Sequence, residues 1–145
     1  MAEECVFCEI LSGSSPVSLV HEDEQVVAFM DIQPINTGHL LVVPRRHAPE
    51  LADMSAQEAG RCFEVAHSMA AALRASGILC EGVNIFVADG EAAFQDVFHF
   101  HIHVIPRFYG DGFGLQFPSH YEVVPEREAL DRMAGQIRAA VKSPA

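Results

Sequence analysis

Apolar residues recur along this chain with two different periods, and the points where the period changes outline the elements. "VSLVHEDEQVVAFMDI" (residues 17–32) reads as two short strands joined by a tight acidic turn at Glu22–Glu24. After the loop "QPINTG", the run His39–Pro44 is a third strand, closed by its proline. The period then lengthens. Ala59, Cys62, Phe63, Ala66, Met69, Ala70 and Leu73 follow at helical spacing. Ser55, with Glu58 three residues later, forms a capping box at the start of that helix, and Gly77 supplies its stop. "GVNIFVA" (Gly82–Ala88) is a strand, "DGEAAFQD" a loop, and "VFHFHIHVIPRF" (Val97–Phe108) another strand. Pro125 opens a last helix, about residues 125–142, with Leu130, Met133, Ile137 and Val141 on one face.

The elements predict an α+β fold: a mostly antiparallel sheet of about five strands, with one long helix and a C-terminal helix packed on it. Hairpins and a single long helical connection favour this over a doubly wound parallel sheet. No repeat or linker interrupts the pattern, so residues 1–145 are expected to form a single domain.

The strand Val97–Phe108 carries the most unusual pattern. Alternate residues of a strand point to the same side, so His99, His101 and His103 share one face while Phe98, Phe100, Ile102 and Val104 turn to the core. A solvated face needs only polar residues, and Thr, Lys or Glu serve it as well. Three successive imidazoles instead put acid, base, nucleophile or metal-ligand capacity on one wall near neutral pH.

Composition narrows the setting. Half of the 145 residues are hydrophobic and a fifth are charged, enough apolar surface for a real core. No apolar run reaches the roughly 18 residues of a membrane span, and "MAEECVFCEI" lacks the positive start and apolar stretch of a signal peptide. The expected location is the cytoplasm, where the four cysteines need not pair. A net charge of −11 argues against nucleic-acid binding. A small phosphorylated ligand remains open, held by backbone amides and histidines.

Cys5-x-x-Cys8 has the ligand spacing of a zinc knuckle. Redox activity or two core thiols are the alternatives, although a redox pair belongs at a helix start within a βαβ unit, which the surrounding pattern does not offer. A zinc site needs two further ligands, and eight histidines leave the choice open.

His99-Phe-His101-Ile-His103-Val104-Ile105 resembles the H-φ-H-φ-H-φ-φ motif of histidine triad (HIT) proteins, a family of nucleotide hydrolases and transferases. "CVFCEI", "AFMDI", "GHLLVVPRRH", "NIFVADGEAAFQDV" and "VIPRF" fall in that family's order and spacing, so the resemblance covers roughly residues 5–114. It implies a HIT-like fold and a homodimer. It implies that His101 is the nucleophile, its neutral imidazole attacking the α-phosphorus of a purine nucleotide to give a covalent nucleotidyl-histidine that water hydrolyses. A backbone carbonyl would fix one ring nitrogen so that the other presents its lone pair. His103 would contact phosphate oxygens, and His39 would lie at the pocket edge. The turn Phe94-Gln95-Asp96-Val97 would offer backbone N–H groups to developing charge. Asp31 would hold the ribose hydroxyls, beside apolar Ala28, Phe29 and Ile32, where a charge needs a reason. Val6, Phe7, Ile10, Phe29 and Ile32 would enclose the base. In the zinc-binding branch, Cys5 and Cys8 would be joined by His47 and His99 around a structural zinc ion.

The chain departs from the family pattern beside the triad. Where members commonly carry Gly-Gln-Ser/Thr, this sequence has Phe94, Gln95 and Asp96, and a common amide position is Ala88. A carboxylate at 96 would repel phosphate. Asp96 is therefore expected either to meet a cationic leaving group, such as the amine of a nucleoside phosphoramidate, or to cap the loop through backbone N–H groups. The leading functional expectation is hydrolysis of nucleoside phosphoramidates or nucleoside monophosphate esters. The alternatives are a dinucleoside polyphosphate hydrolase, a non-catalytic nucleotide-binding regulator and, at a distance, a redox protein built on Cys5 and Cys8.

Overall fold

In the computed structural model, which describes residues 4–142, the chain divides into two compact units that meet in sequence at Asp111–Gly112. The first holds five strands: β1 (Leu19–Glu22), β2 (Val26–Met30), β3 (Leu40–Pro44), β4 (Gly82–Phe86) and β5 (Ile102–Arg107). They form one sheet in the order β1-β2-β3-β5-β4, every pairing antiparallel. Two helices accompany the sheet, α1 (Val6–Leu11) and α2 (Ala56–Ala75). The second unit contains α3 (Arg127–Ala140), which buries none of its side chains; Met133 and Ile137 are 51% and 69% exposed. Among the described residues no helix is long and apolar enough to cross a membrane.

The β1–β2 turn is organised by a carboxylate. Oδ1 of Asp23 accepts the N–H groups of Gln25 and Val26, each at 2.8 Å, and Oδ2 accepts from Arg61 of α2 at 2.7 Å. Nε2 of His21 also lies 2.8 Å from Oδ2, and these bonds, that to His21 first, hold Asp23 well below the usual carboxylate range. The capping box of α2 is present: Oγ of Ser55 accepts the Glu58 N–H at 3.1 Å, and Oε2 of Glu58 accepts the Ser55 N–H at 2.9 Å. Cys62, Val65, Ala66, Met69, Ala70 and Leu73 of α2 are buried against Val26, Ala28, Leu40, Val42, Ile102 and Val104. Phe63, placed on that face by the spacing, is 53% exposed.

The opposite face of the sheet is covered by α1, a helix the hydrophobic period does not reveal. At six residues it is too short to repeat a pattern, and Cys5 caps it, its Sγ accepting the Cys8 N–H at 3.4 Å. Its buried residue, Phe7, packs with Val27, Phe29, Leu41 and Val43. Because both faces of the sheet are covered, every residue of β3 is buried, which is why that strand is a continuous apolar run.

The histidine strand is shorter than its sequence predicts. β5 begins at Ile102, not Val97, although His99 and His101 both face Phe7 of α1 while Phe100, Ile102 and Val104 join the core on the α2 side. Phe100, Ile102 and Val104 enter the core as expected, but Phe98 is 43% exposed, while His99 and His101 are 0% and 4% exposed. The reason lies at the end of β3. Instead of continuing the ladder, the carbonyl of Pro44 accepts from the side chain of His99 at 2.7 Å, and the N–H of Phe100 donates to the carbonyl of Ala48 at 2.7 Å. A turn before β3 also needs one particular residue. Gly38 has φ +101°, and an added Cβ would lie 3.1 Å from a methyl group of Ile78.

Candidate active site and metal centre

Cys5 and Cys8 at the head of α1, His47 after β3 and His99 before β5 converge on one point. Sγ of Cys8 lies 3.4 Å from Nδ1 of His47 and 3.6 Å from Nδ1 of His99; Sγ of Cys5 lies 3.5 Å from Nδ1 of His99; and the two Nδ1 atoms are 3.2 Å apart. Tetrahedral zinc, with bonds near 2.3 Å to sulfur and 2.0–2.1 Å to nitrogen, separates sulfur from nitrogen by about 3.5 Å and two nitrogens by about 3.3 Å. The cluster matches those edges. The tautomer matches too. The Pro44 carbonyl can only accept, so Nε2 of His99 carries the proton and Nδ1 turns its lone pair to the cluster. Burial holds His99 down to about 4, so it is neutral, as a ligand must be. With no cation present, burial and the adjacent Cys5 push the Cys8 thiol up to about 11; a bound cation reverses that preference.

The other two triad histidines are held differently. Nδ1–H of His101 donates to the backbone carbonyl of His99 at 2.8 Å, leaving the lone pair on Nε2. His103 pairs with His39. The N–H of Ile35 donates to Nδ1 of His39 at 3.0 Å, so Nε2 carries the proton and donates to Nδ1 of His103 at 2.9 Å. His103 therefore holds its own proton on Nε2. Asp31, His39 and His103 lie close enough to hold a metal, but Nε2 of His39 is a donor here, and the hydrogen-bond relay runs from Ile35 through His39 to His103. His39 is buried and His103 half-buried, and this desolvation lowers His39 below its ordinary value and holds His103 down to about 4.

A cleft of ≈ 800 Å³ opens beside these rings. Val6, Phe7, Ile10, Phe29 and Ile32 line it, Ile32 being 95% exposed at its mouth, with Asp31, Asp96, Val97, His101 and His103 at its polar side. Phe7 stands edge-on to His101, ring centroids 5.1 Å apart, and to His99 at 5.8 Å, and so joins the cleft to the metal centre. Oδ1 of Asp31 accepts the Gln33 N–H at 2.8 Å, and Oδ2 lies 3.5 Å from Nε2 of His39. Gln95 is turned inward as a brace. Its Oε1 accepts the Gly90 N–H at 2.8 Å, and its Nε2 donates to the carbonyls of Pro49 and Val97 at 2.6 and 3.0 Å. The N–H groups of Phe94, Gln95 and Val97 are engaged by Glu91, Gly90 and Asp96 respectively. Ala88 is buried at 7% exposure.

Ser15, Pro16, Val17 and Ser18 also line the cleft, as does Gln33. These residues carry no motif, and the α1–β1 loop reaches the cleft only because α1 is docked on the sheet.

The HIT domain pattern matches residues 12–110. The chain belongs to the HIT family. A solved HIT family protein from Bacillus anthracis is 38% identical, covers 98% of this chain and 100% of its own, and superposes with a TM-score of 0.88. A zinc-bound histidine triad protein from Mycobacterium smegmatis is 37% identical over 95% of this chain and 98% of its own, with a TM-score of 0.74. Adenylylsulfatase HINT3 of Arabidopsis thaliana is 36% identical over 108 residues, 74% of this chain and 54% of that protein. Cys5, Cys8, His47 and His99 form the structural zinc site of this HIT chain. Zinc held there would cross-link α1, the segment after β3 and the segment before β5.

Proposed function

We propose that this HIT protein is a nucleotide hydrolase or nucleotidyl transferase acting at the α-phosphate of purine nucleotides, with nucleoside phosphoramidates or nucleoside monophosphate esters as substrates. One observation carries the reading: His101 is pinned by Nδ1–H to the His99 carbonyl at 2.8 Å, so a neutral ring keeps its lone pair on Nε2 at the cleft. Nε2 bonds to the α-phosphorus while the bond to the leaving group breaks, its electron pair departing with that group. Water then attacks phosphorus and gives up a proton to solvent, and Nε2 leaves as a neutral imidazole. His103, its proton on Nε2, donates to a phosphoryl oxygen. Asp31 accepts from the ribose hydroxyls, and the apolar walls enclose the base without reading its edge. The relative named adenylylsulfatase supports hydrolysis as the reaction.

A homodimer in the cytoplasm completes this reading. Apolar Phe63 of α2 and Ile85 and Phe86 of edge strand β4 are exposed, as a partner surface requires; light scattering at twice the chain mass is the expected result. The chemistry is tested by intact-mass spectrometry after a neutral quench. The wild type gains one nucleotidyl group and His101→Asn does not. Undiminished turnover by His101→Asn would overturn the assignment.

A further inference from the structure

Asp96 stands against the lone-pair nitrogen of His101. Its Oδ1 is 3.6 Å from Nε2 and accepts the Val97 N–H at 2.9 Å, while its side chain is 80% exposed to the cleft. A lone pair and a carboxylate oxygen thus face each other, an arrangement that becomes favourable only when positive charge develops there. The surroundings point the same way. Asp31 lines the same cleft, and no Lys or Arg is among the described residues lining it. Phosphate sites ordinarily surround the anion with such cations. The chain as a whole carries −11.

We propose that Asp96 selects the leaving group by its charge. It favours a leaving group that is cationic at the atom bonded to phosphorus, the protonated amine of a nucleoside phosphoramidate, over an anionic one such as sulfate or phosphate. The proposal rests on His101 being the nucleophile. In the step, the substrate nitrogen arrives protonated, Nε2 of His101 bonds to phosphorus, and the P–N bond breaks with its electron pair passing to nitrogen. A neutral amine departs with the protons it brought, and the positive charge passes to the imidazolium beside Asp96. With sulfate the same imidazolium forms, but the departing group takes on an added negative charge in a cleft lined by Asp31 and Asp96 and by no described Lys or Arg.

The test compares kcat/KM for an adenosine 5′-N-alkylphosphoramidate and for adenylyl sulfate in wild type, Asp96→Asn and Asp96→Ser. Asparagine keeps an oxygen that accepts the Val97 N–H, so that variant removes charge while preserving the loop. Water screens an exposed carboxylate, so the amine-over-sulfate ratio should fall about tenfold in both variants, and added salt should shrink it in the wild type. If both variants cleave both substrates with the ratio within about twofold of wild type, a change of under 0.5 kcal/mol, the charge role is overturned while His101 keeps its assignment. If the wild type forms no nucleotidyl adduct with either substrate, the nucleophile reading fails and this proposal fails with it.

Discussion

The backbone carbonyl of His99 accepts Nδ1–H of His101 at 2.8 Å, while the side chain of the same His99 faces Cys5, Cys8 and His47. One residue therefore belongs to both centres: its ring is a zinc ligand and its peptide group sets the tautomer of the neighbouring imidazole. Disturbing the metal must move the carbonyl on which His101 depends.

The two histidines should therefore fail differently. Protein purified without chelator should contain stoichiometric zinc by atomic emission. Cys8→Ser, or stripping by a strong chelator, should lower Tm by about 10 °C or more, at 2–4 °C per kcal/mol for a chain of this size. Activity should fall with it. His101→Asn should change Tm by only about 2 °C while lowering kcat by about 10³-fold or more, as loss of a nucleophile does. Equal losses of stability in the two variants would contradict this division.

His39 acts through His103. Since Ile35 N–H fixes Nδ1 of His39 as acceptor, Nε2–H locks His103 with its proton on Nε2. In His39→Phe that lock is gone, and kcat should drop about tenfold to a hundredfold, toward the range of a displaced acid–base group. His39→Gln, which retains a donor, should recover part of the loss. Nitrogen chemical shifts of the His103 ring should report the Nε2–H tautomer in wild type and a mixture in His39→Phe. An unchanged tautomer in that variant would show that other contacts orient His103.

Burial of His103 also makes stability depend on pH. Its folded value is about 4 against an ordinary 6.5, because burial, first of all, penalises the cation. The unfolded chain binds the proton that the folded chain refuses, so folding stability is complete above about pH 6.5 and declines as pH falls toward 4. The loss should approach about 3 kcal/mol at most for this group. Urea titrations from pH 7.5 to 4 on wild type and His103→Gln should show a shallower decline in the variant. Parallel curves would assign the acid sensitivity to other groups.

Much of this arrangement is legible in the sequence because it follows from period and composition. The apolar run of β3, the capping box Ser55–Glu58 and the buried face of α2 are local patterns, and each forms where the pattern puts it. The triad stands out in the sequence because three imidazoles exceed what a wet strand face requires. What eluded the pattern depends on distant partners. α1 exists through its cap and its docking of Phe7 on the sheet. The end of the strand ladder before Ile102 depends on the Pro44 and Ala48 carbonyls. The relay through His39 requires a β3–β5 register that pairs Leu41 with His103, and no local signal encodes it.

The loop before the triad holds a strained residue whose relief should be measurable. Phe94 sits at φ 67°, ψ 30°, the left-handed region, and is 88% exposed. An L side chain with a Cβ pays about 1–2 kcal/mol there, and glycine does not, although glycine gains entropy in the unfolded chain. Phe94→Gly should therefore raise stability by about 0.5–1 kcal/mol, or about 2–4 °C in Tm. Phe94→Ala keeps the Cβ and should yield no such gain. The loop itself should persist in both, because Gln95 ties Gly90, Pro49 and Val97 together from within. Thermal melts of the three proteins decide the matter. A Phe94→Gly variant no more stable than wild type would mean that the exposed ring makes contacts that offset its backbone strain.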